Sequence, residues 1–590
     1  MPYTLIVENK ENKKYYAYKS SYRENGKVKN NYVYLGTEEV ALKLLDDFNS
    51  KKPSNERLLS SSGEKILSKV LGMLGFQDIV SNSIKNDAKL NAGRFIEMVV
   101  VERALDAFSK YGLAEHAHGH SIFSLDKNIP CDKFTDANIY HYMDYLFPNV
   151  DEIQQRLVKN LLCIEGIELN ELIIDGTSVS CFGDDDTDDE NDEKDAPGGT
   201  GEGGDGGKYA EVKRVHGYSR AKRPDLAQVE VMLGVNDQSI PLFFQVFPGN
   251  APDVHMFKAI LEKCQKGYSS LLSKAKNKYV VFDKGNNNPK NIKELDELCG
   301  KWNFHFVASV RPSMVAVKTE LSMLAKDNAP VIYTQKKTVL RGRTTTGKLY
   351  GKARHVLLYL NEEIMKQKQD AFRQKVKEVK AEIREQAHQE GSPKAKMVKI
   401  EKILCKNGLS SFFTLQAHDD VVKCMAIKEK IEEHVNGLGK YALITNDPNL
   451  DATEMMRIYK TTGVIEQEFH VLKSELGLGP VFHRKPDRIQ VHFTLILWGM
   501  MALAVLKVVL ARRGLNYSFE QLHAKIKEGQ VSIGDHMYPD AKSFRIQKAL
   551  NIGKELQDIF RALRIKWEYF DIEVLTTENA RLSPSTTTTG

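Results

Sequence analysis

The sequence predicts an α/β protein built on a mixed sheet. Three strand patterns follow one another between residues 168 and 249, and helix and strand patterns then alternate as far as residue 310. A change from consecutive strands to alternating elements favours a mixed sheet over a purely parallel one. The order β-β-β-α-β-α-β is that of the ribonuclease H-like fold, which we predict for the core of this chain.

The elements on either side of this core predict further regions. A long charged helix is expected across about 362–390, and the strand pattern KYALITND resumes the core at residue 440. The predicted regions are a small β region at 1–60, a helical region suited to DNA binding at 61–165, the first part of the core at 166–310, an α+β insertion at 311–438, the second part of the core at 439–515, and a helical C-terminal region with a disordered tail at 516–590.

Two composition features narrow the class of protein. The apolar run FTLILWGMMALAVL at 493–506 is shorter than the roughly 20 residues that cross a bilayer, so it predicts a buried helix and no membrane contact. The seven cysteines include no C-x-x-C pair, which argues against a zinc ribbon and against a disulfide scaffold. Both features fit a protein of the reducing cytoplasm.

Charge is distributed unevenly along the chain. The tract 184–205 carries 11 acidic residues and one lysine, and we expect a disordered acidic loop over 184–207. The other 83 basic and 67 acidic residues give the rest of the chain a net charge of +16, against +6 for the whole. A basic body of this kind favours a polyanionic partner, most often nucleic acid.

Two aspartates follow apolar strand patterns in the predicted core. Asp175 ends the run LII in LIIDGTS, and Asp283 ends the run VVF in YVVFDKG. In α/β sheets, ligands collect at the carboxyl ends of strands, so these two carboxylates are expected near a shared site.

A third acid comes from the predicted helix YKTTGVIEQEFHVLKSEL at 459–476. Its apolar stripe contains Ile465, and at 100° per residue Glu466 borders that stripe. Glu468 and Glu475 fall near the opposite face, where surface charges are expected. Tyr459 and Lys473 each lie seven residues from Glu466, so the three side chains are predicted to form one column along the edge of the core.

Asp175, Asp283 and Glu466 together are hard oxygen ligands. Such a set suits Mg²⁺ or Mn²⁺ and not zinc, and two such ions would hold the attacking and leaving oxygens of a phosphodiester. Lys473 could neutralise a phosphate, and Tyr459 could hydrogen-bond a phosphate or stack on a base.

At these residues the sequence resembles the DDE transposases of insertion sequences, and in particular the branch with a Tyr-x2-Arg-x3-Glu-x6-Lys signature and a large insertion before the glutamate. The matching pieces are IIDGTSVSCFG, HGYSRAKRPDLAQVEVMLGV, IPLFFQVFPGNAPD, VVFDKGNNN and YKTTGVIEQEFHVLKSELGLGPVFHRKPDRIQVHF. The resemblance implies a metal-binding triad of Asp175, Asp283 and Glu466, with Tyr459 and Lys473 as DNA contacts. The signature arginine falls at Thr462, and His470 stands where an arginine is expected.

An enzyme of this family would hydrolyse a DNA strand at the ends of an element and join the freed 3′-OH to target DNA. A homodimer is expected because two element ends must be held together. Two other readings stay open: a nuclease of the same fold that cuts without joining, and an inactive DNA-binding descendant. The expected DNA-backbone contacts in basic stretches are Arg220, Arg223, Arg311, Arg341, Arg343 and Arg484.

Overall fold

A computed structural model describes most of the chain. The stretches outside the described residues are 1–2, 11–12, 25–26, 43–54, 85–89, 183–211, 219–222, 273–278, 283–287, 313, 336–337, 390–391, 419–420, 537–542, 567–569 and 576–590. The predicted acidic loop at 184–207 therefore lies outside them, as does the end of the C-terminal tail.

The N-terminal segment forms a small antiparallel sheet. Its three strands pair in the order β1-β2-β3, as the alternating pattern of the first 36 residues predicts. The strands are β1 (Tyr3–Lys10), β2 (Lys13–Glu24) and β3 (Lys27–Thr37). A fourth strand, β4 (Asn55–Ser60), belongs to a different sheet near the C-terminus.

Helices fill the next region, as predicted for 61–165. They are α1 (Ser62–Met73), α2 (Phe76–Ser83), α3 (Ala92–Leu105), α4 (Lys110–Gly119), α5 (Asp136–Leu146) and α6 (Val150–Leu161). Against them packs the long apolar helix α15 (Pro486–Ala511), on which Trp498 contacts Phe76 edge to face at 5.2 Å. This helix is apolar and long enough to cross a membrane, but 83% of its most apolar window is buried within the fold. The prediction of a buried helix is confirmed.

A nine-stranded mixed sheet forms the centre of the molecule. Its strands are β5 (Glu171–Ser180), β6 (Gln228–Asn236), β7 (Pro241–Pro248), β8 (Tyr279–Phe282), β9 (His305–Val310), β10 (Val331–Gln335), β11 (Thr338–Leu349), β12 (Lys352–Asn361) and β15 (Lys440–Thr445). They lie in the order β10-β11-β12-β15-β9-β8-β5-β6-β7. Strand β5 runs parallel to β8 and antiparallel to β6, so the predicted mixed α/β architecture is confirmed.

Buried apolar side chains explain why the central strands take these positions. Every residue of β6 is buried, and β5 is buried except at two positions. Nearly continuous apolar runs of this kind are typical of strands covered on both faces. Helices α7 (Asp253–Leu272) and α8 (Pro289–Trp302) connect β7 to β8 and β8 to β9, as predicted.

The predicted insertion at 311–438 divides into two parts. After α9 (Val315–Met323), the strands β10, β11 and β12 extend the central sheet and do not form a separate one. The second part packs around its own apolar cluster, which includes Val379, Ile400 and Val435. Its elements are α10 (Glu362–His388), α11 (Pro393–Lys406), β13 (Phe413–His418), β14 (Val421–Ala426) and α12 (Lys428–Gly437). The long charged helix is confirmed as α10.

The C-terminal region, which the sequence predicts as helical, also contains strands. Helices α16 (Phe519–Ile526) and α17 (Lys554–Ala562) are present, but so are β16 (Gln530–His536), β17 (Ser543–Leu550) and β18 (Phe570–Leu575). These strands form a sheet in the order β18-β17-β16-β4. Val531 of β16 pairs with Leu59 of β4, more than 470 residues earlier in the chain. Because the partner strand is so distant in sequence, the residues around β16 do not indicate that it belongs to a sheet.

Candidate active site

Asp175 lies in the middle of the central strand β5 and not at its carboxyl end, which corrects the position that the sequence predicted. Its side chain is half-buried between fully buried neighbours, and Oδ1 accepts a hydrogen bond of 2.8 Å from the backbone N–H of Gly176. Because side chains alternate along a strand, Asp175 shares its face of the sheet with Glu171 and Thr177. Contacts made by those two residues therefore show what covers the face on which Asp175 lies.

The helix predicted from residue 459 onward is two helices. Helix α13 (Ala452–Lys460) ends at Thr461, and α14 (Thr462–Ser474) begins after it. The hydroxyl of Thr461 donates to the Ile458 carbonyl at 2.6 Å, and that of Thr462 to the Tyr459 carbonyl at 2.8 Å. Threonine side chains that bond the preceding turn compete with the helical ladder, and a glycine follows them at 463.

This break corrects the predicted single column of three side chains. Tyr459 is half-buried on α13, whereas Glu466 and Lys473 are both exposed on α14. The seven-residue spacing therefore still sets Glu466 and Lys473 on one face of one helix. It does not fix the direction of Tyr459 relative to them.

Two contacts fasten these helices along β5. Arg457 of α13 donates from Nη2 to Oε1 of the buried Glu171 at 2.7 Å, and Lys473 of α14 donates from Nζ to Oγ1 of Thr177 at 2.6 Å. The helical stretch between the two contacts is about 24 Å long, and the strand stretch is about 20 Å. The helices thus run alongside the strand in the same direction.

Between those contacts lie two of the three predicted carboxylates. Glu466 falls between Arg457 and Lys473 on the helices, and Asp175 falls between Glu171 and Thr177 on the strand. Glu466 projects from the same side of α14 as Lys473, which contacts the Asp175 face of β5. The fold therefore brings these two acids to one side of the sheet, although they are almost 300 residues apart in sequence.

The chain beyond α14 also returns to β5. The N–H of Val481 donates to the Ser180 carbonyl at 3.0 Å, and the N–H of Phe182 donates to the Val481 carbonyl at 2.9 Å. Glu475 points elsewhere, because its Oε2 lies 3.9 Å from His523 Nδ1 on α16. Glu475 is partly exposed there, with 37% of its side chain accessible, so it is less solvated than a plain surface charge; the side chain of Glu468 is not described.

Electrostatics at the start of β5 are dominated by burial. Desolvation raises the pKa of the Glu171 carboxyl, and the hydrogen bonds from Arg457 and Thr461 oppose that shift. The pKa of Arg457 is raised in turn, chiefly by its hydrogen bond to Glu454 and also by the one to Glu171. Arg457 is thus committed to holding the helices and is not a free cation for a ligand.

The third predicted acid, Asp283, lies outside the described residues. Strand β8 is described as far as Phe282, and its parallel register pairs Val281 with Ile173. Within the described part of the chain, no group of three or more His, Cys, Asp or Glu side chains is arranged to hold a metal ion.

The predicted DNA-contacting arginines differ in their surroundings. Arg223, Arg311 and Arg484 are exposed, whereas Arg220 lies outside the described residues. Three of the arginines hold carboxylates: Arg223 pairs with Asp225 at 2.7 Å, Arg343 pairs with Glu320 at 3.1 Å, and Arg341 pairs with Glu362.

Sequence reasoning missed three residues that build this site: Glu171, Thr177 and Arg457. The strand's period of two would have placed Glu171 and Thr177 on the Asp175 face. Nothing in the sequence pairs either of them with the helices, because each contact joins segments almost 300 residues apart.

Comparison with protein families gives one match. The family described as Transposase DDE domain matches residues 168–502, which is more than half of the chain and runs from the start of β5 into α15. Comparison with curated proteins found no match. The matched range includes β5, β8 and α14, the elements on which the three predicted acids were sought. The chain belongs to the DDE transposase family.

Proposed function

We propose that this transposase cuts DNA at the ends of its element and joins the freed 3′-OH ends to target DNA. One observation carries the proposal. The helices contact β5 through Arg457–Glu171 and Lys473–Thr177, and Glu466 on the helices and Asp175 on the strand lie between these two contacts. Carboxylates held in this way suit phosphodiester chemistry, because hard anionic oxygens bind the cations that phosphoryl transfer requires.

The finer fold assignment that we propose is ribonuclease H-like. Its support is the strand order β7-β6-β5-β8-β9 within the central sheet, with β6 antiparallel and β8 parallel to β5. We also assign the chain to the branch with the Tyr-Arg-Glu-Lys signature. Tyr459, Glu466 and Lys473 support this assignment, while Thr462 replaces the signature arginine.

The proposed catalytic and metal-binding residues are Asp175, Asp283 and Glu466. The donor set fits Mg²⁺ or Mn²⁺, since Asp175 is half-buried on the sheet and Glu466 is solvent-accessible on the helix over the same face. In the register of β5 and β8, Ile173 pairs with Val281, and these residues precede Asp175 and Asp283 by two positions each. Two bound ions would polarise the phosphodiester and stabilise the charge that develops on its oxygens.

The protein's own residues would position the DNA strand. Lys473 presents an ammonium group beside Thr177, two residues from Asp175, where it would neutralise a phosphate oxygen. Tyr459 is proposed to contact the same strand. Among the proposed backbone contacts, Arg311 is exposed and forms no ion pair within the described residues, whereas DNA would have to compete with carboxylates for Arg223, Arg341 and Arg343.

The chemistry has two steps at one site. Water first attacks the phosphorus at the element end, which breaks the P–O3′ bond and leaves a 3′-OH. That hydroxyl then attacks a phosphorus of the target strand, so that one phosphodiester forms as another breaks. Two element ends must react together, so we propose a homodimer acting on DNA in the cytoplasm.

A joining assay tests the proposal against a nuclease of the same fold. Pre-cleaved terminal DNA with a 3′-OH is mixed with a supercoiled target plasmid, the protein and Mg²⁺. The proposal expects joined products that disappear when the terminal 3′-OH is replaced by 3′-H. Cutting without joined product would identify a nuclease, and DNA binding without cutting would identify an inactive descendant.

A further inference from the structure

Two helices of the insertion enclose a basic groove that the catalytic site does not use. Helices α10 and α12 form its walls, with a volume of about 560 Å³. Val376 and Ile431 form an apolar floor. The cations that line this groove, called here the α10–α12 groove, are Arg373, Lys377, Lys380, Arg384 and Lys428.

The cations of α10 that line the groove share one side of the helix. Counted at 100° per residue from Lys377, the four groove cations of this helix fall between about −60° and 0°. The acidic residues of the same turns fall between about 80° and 140° by the same count. Those acids are Glu378, Glu382 and Glu385. Over these turns the charged residues on the groove side of α10 are therefore all cations, whereas Lys375 and the three acids lie on the other side.

Most of the groove cations have no neutralising partner among the described residues. Arg373 pairs with Glu432 at 3.3 Å, and both side chains are about half exposed. Within the described residues, Lys377, Lys380, Arg384 and Lys428 form no ion pair. Like charges gathered along one wall repel one another, and a bound polyanion relieves that repulsion.

We propose that the α10–α12 groove binds the phosphate backbone of duplex DNA. The α10 cations extend over about 16 Å of helix, a length that faces about five phosphates of one strand at 3.4 Å of axial rise each. Contacts from lysine and arginine to phosphates hold DNA without reading its sequence. The groove therefore anchors DNA and does not select the element's ends.

The groove lies apart from the reacting strand. Helix α10 starts where β12 ends, and Arg373 is eleven residues, or about 16 Å, further along the helix. This part of α10 packs on the insertion's own apolar cluster and not on the central sheet. The groove would consequently hold a segment of duplex DNA that lies away from the cleavage point. This inference rests on the proposed function, since it takes DNA as the partner.

Salt-dependent binding tests the groove. Affinity for a long duplex is measured at several salt concentrations in Glu466→Gln protein, in which no cutting disturbs the equilibrium. Lys377→Ala with Lys380→Ala should lower the slope of log K against log salt by about 1.8, and Lys428→Ala on the facing helix by about 0.9. Lys375→Ala is the matched control, because that exposed lysine lies on the opposite side of α10.

The possible outcomes distinguish a failure of the groove proposal from a failure of the proposed function. An unchanged slope in both groove variants would overturn the inference, as would an equal loss in Lys375→Ala, which would indicate general charge and not a groove. Absence of DNA binding by the parent protein would instead contradict the proposed function itself.

Discussion

Lys473 donates a hydrogen bond from Nζ to Oγ1 of Thr177 over 2.6 Å. This bond joins α14, which carries Glu466, to β5, which carries Asp175. It also fixes a cation two strand positions from a carboxylate, on the same face of the sheet. The family's match covers both elements, and the hydrogen bond shows how they meet in this chain.

Removing the ammonium group should weaken both cutting and DNA binding. Lys473→Ala loses a charge-assisted phosphate contact, so we expect cleavage to fall about 10- to 100-fold and the salt slope of DNA binding to drop by about 0.9. Thr177→Val keeps the shape and the charge but removes the acceptor. It should slow cleavage less than Lys473→Ala does and leave the salt slope unchanged. Equal salt slopes for wild type and Lys473→Ala would exclude a phosphate contact.

The pair Arg457–Glu171 should stabilise the seating of the helices on β5. Glu171 is 1% exposed, and Arg457→Ala leaves this buried carboxyl without its half-exposed cation, at a cost of about 1–3 kcal/mol in the free energy of unfolding. Adding Glu171→Gln removes the uncompensated charge and should recover part of that loss. Denaturant unfolding of the two variants measures the difference. A double variant no more stable than Arg457→Ala would show that the pair does not act in this way.

Glu64 in the helical region should make stability depend on pH. Its carboxyl is buried on α1 and accepts a hydrogen bond from Ser121 at 3.2 Å. Desolvation, together with the nearby Glu102 carboxyl, raises the pKa of Glu64 to about 7 from an ordinary value of 4.5. Between those pH values the folded protein holds a proton that the unfolded chain has lost.

Wild-type stability should therefore fall relative to Glu64→Gln as pH rises from about 4.5 to about 7, and the difference should level off above that range. Glutamine keeps an oxygen that accepts the hydrogen bond from Ser121, and it does not ionise. Melting temperatures of the two proteins across this pH range provide the measurement. A constant difference between them would contradict the raised pKa.

The exposed Arg311 should contribute more to DNA binding than Arg343 does. Arg343 already holds Glu320 at 3.1 Å, so binding a phosphate requires that ion pair to break. We expect Arg311→Ala to lower the salt slope of DNA binding by about 0.9 and Arg343→Ala to change it by less than half as much. The same titrations serve both variants, and the reverse ranking would show that the ion pair does not compete with DNA.

Much of the fold could be predicted because its patterns are local. The apolar runs that end at Asp175 and before Asp283, and the apolar stripe beside Glu466, each indicated their element without any distant partner. The strand pairings between distant segments could not be predicted. Strand β16 pairs with β4, and β12 pairs with β15. The break at Thr461, by contrast, has a local cause in the sequence, because two threonines and a glycine in succession disfavour a continuous helix.

Mg²⁺-dependent cleavage of terminal-repeat DNA by wild type, Glu466→Gln and Glu468→Gln tests directly whether Glu466 is the catalytic acid of this helix. Position 468 lies two residues further along the same helix, about 200° around it, and serves as the matched control. We predict that Glu466→Gln binds the DNA with wild-type affinity but does not cut it, while Glu468→Gln cuts normally. Normal cutting by Glu466→Gln, with loss in Glu468→Gln, would contradict this prediction.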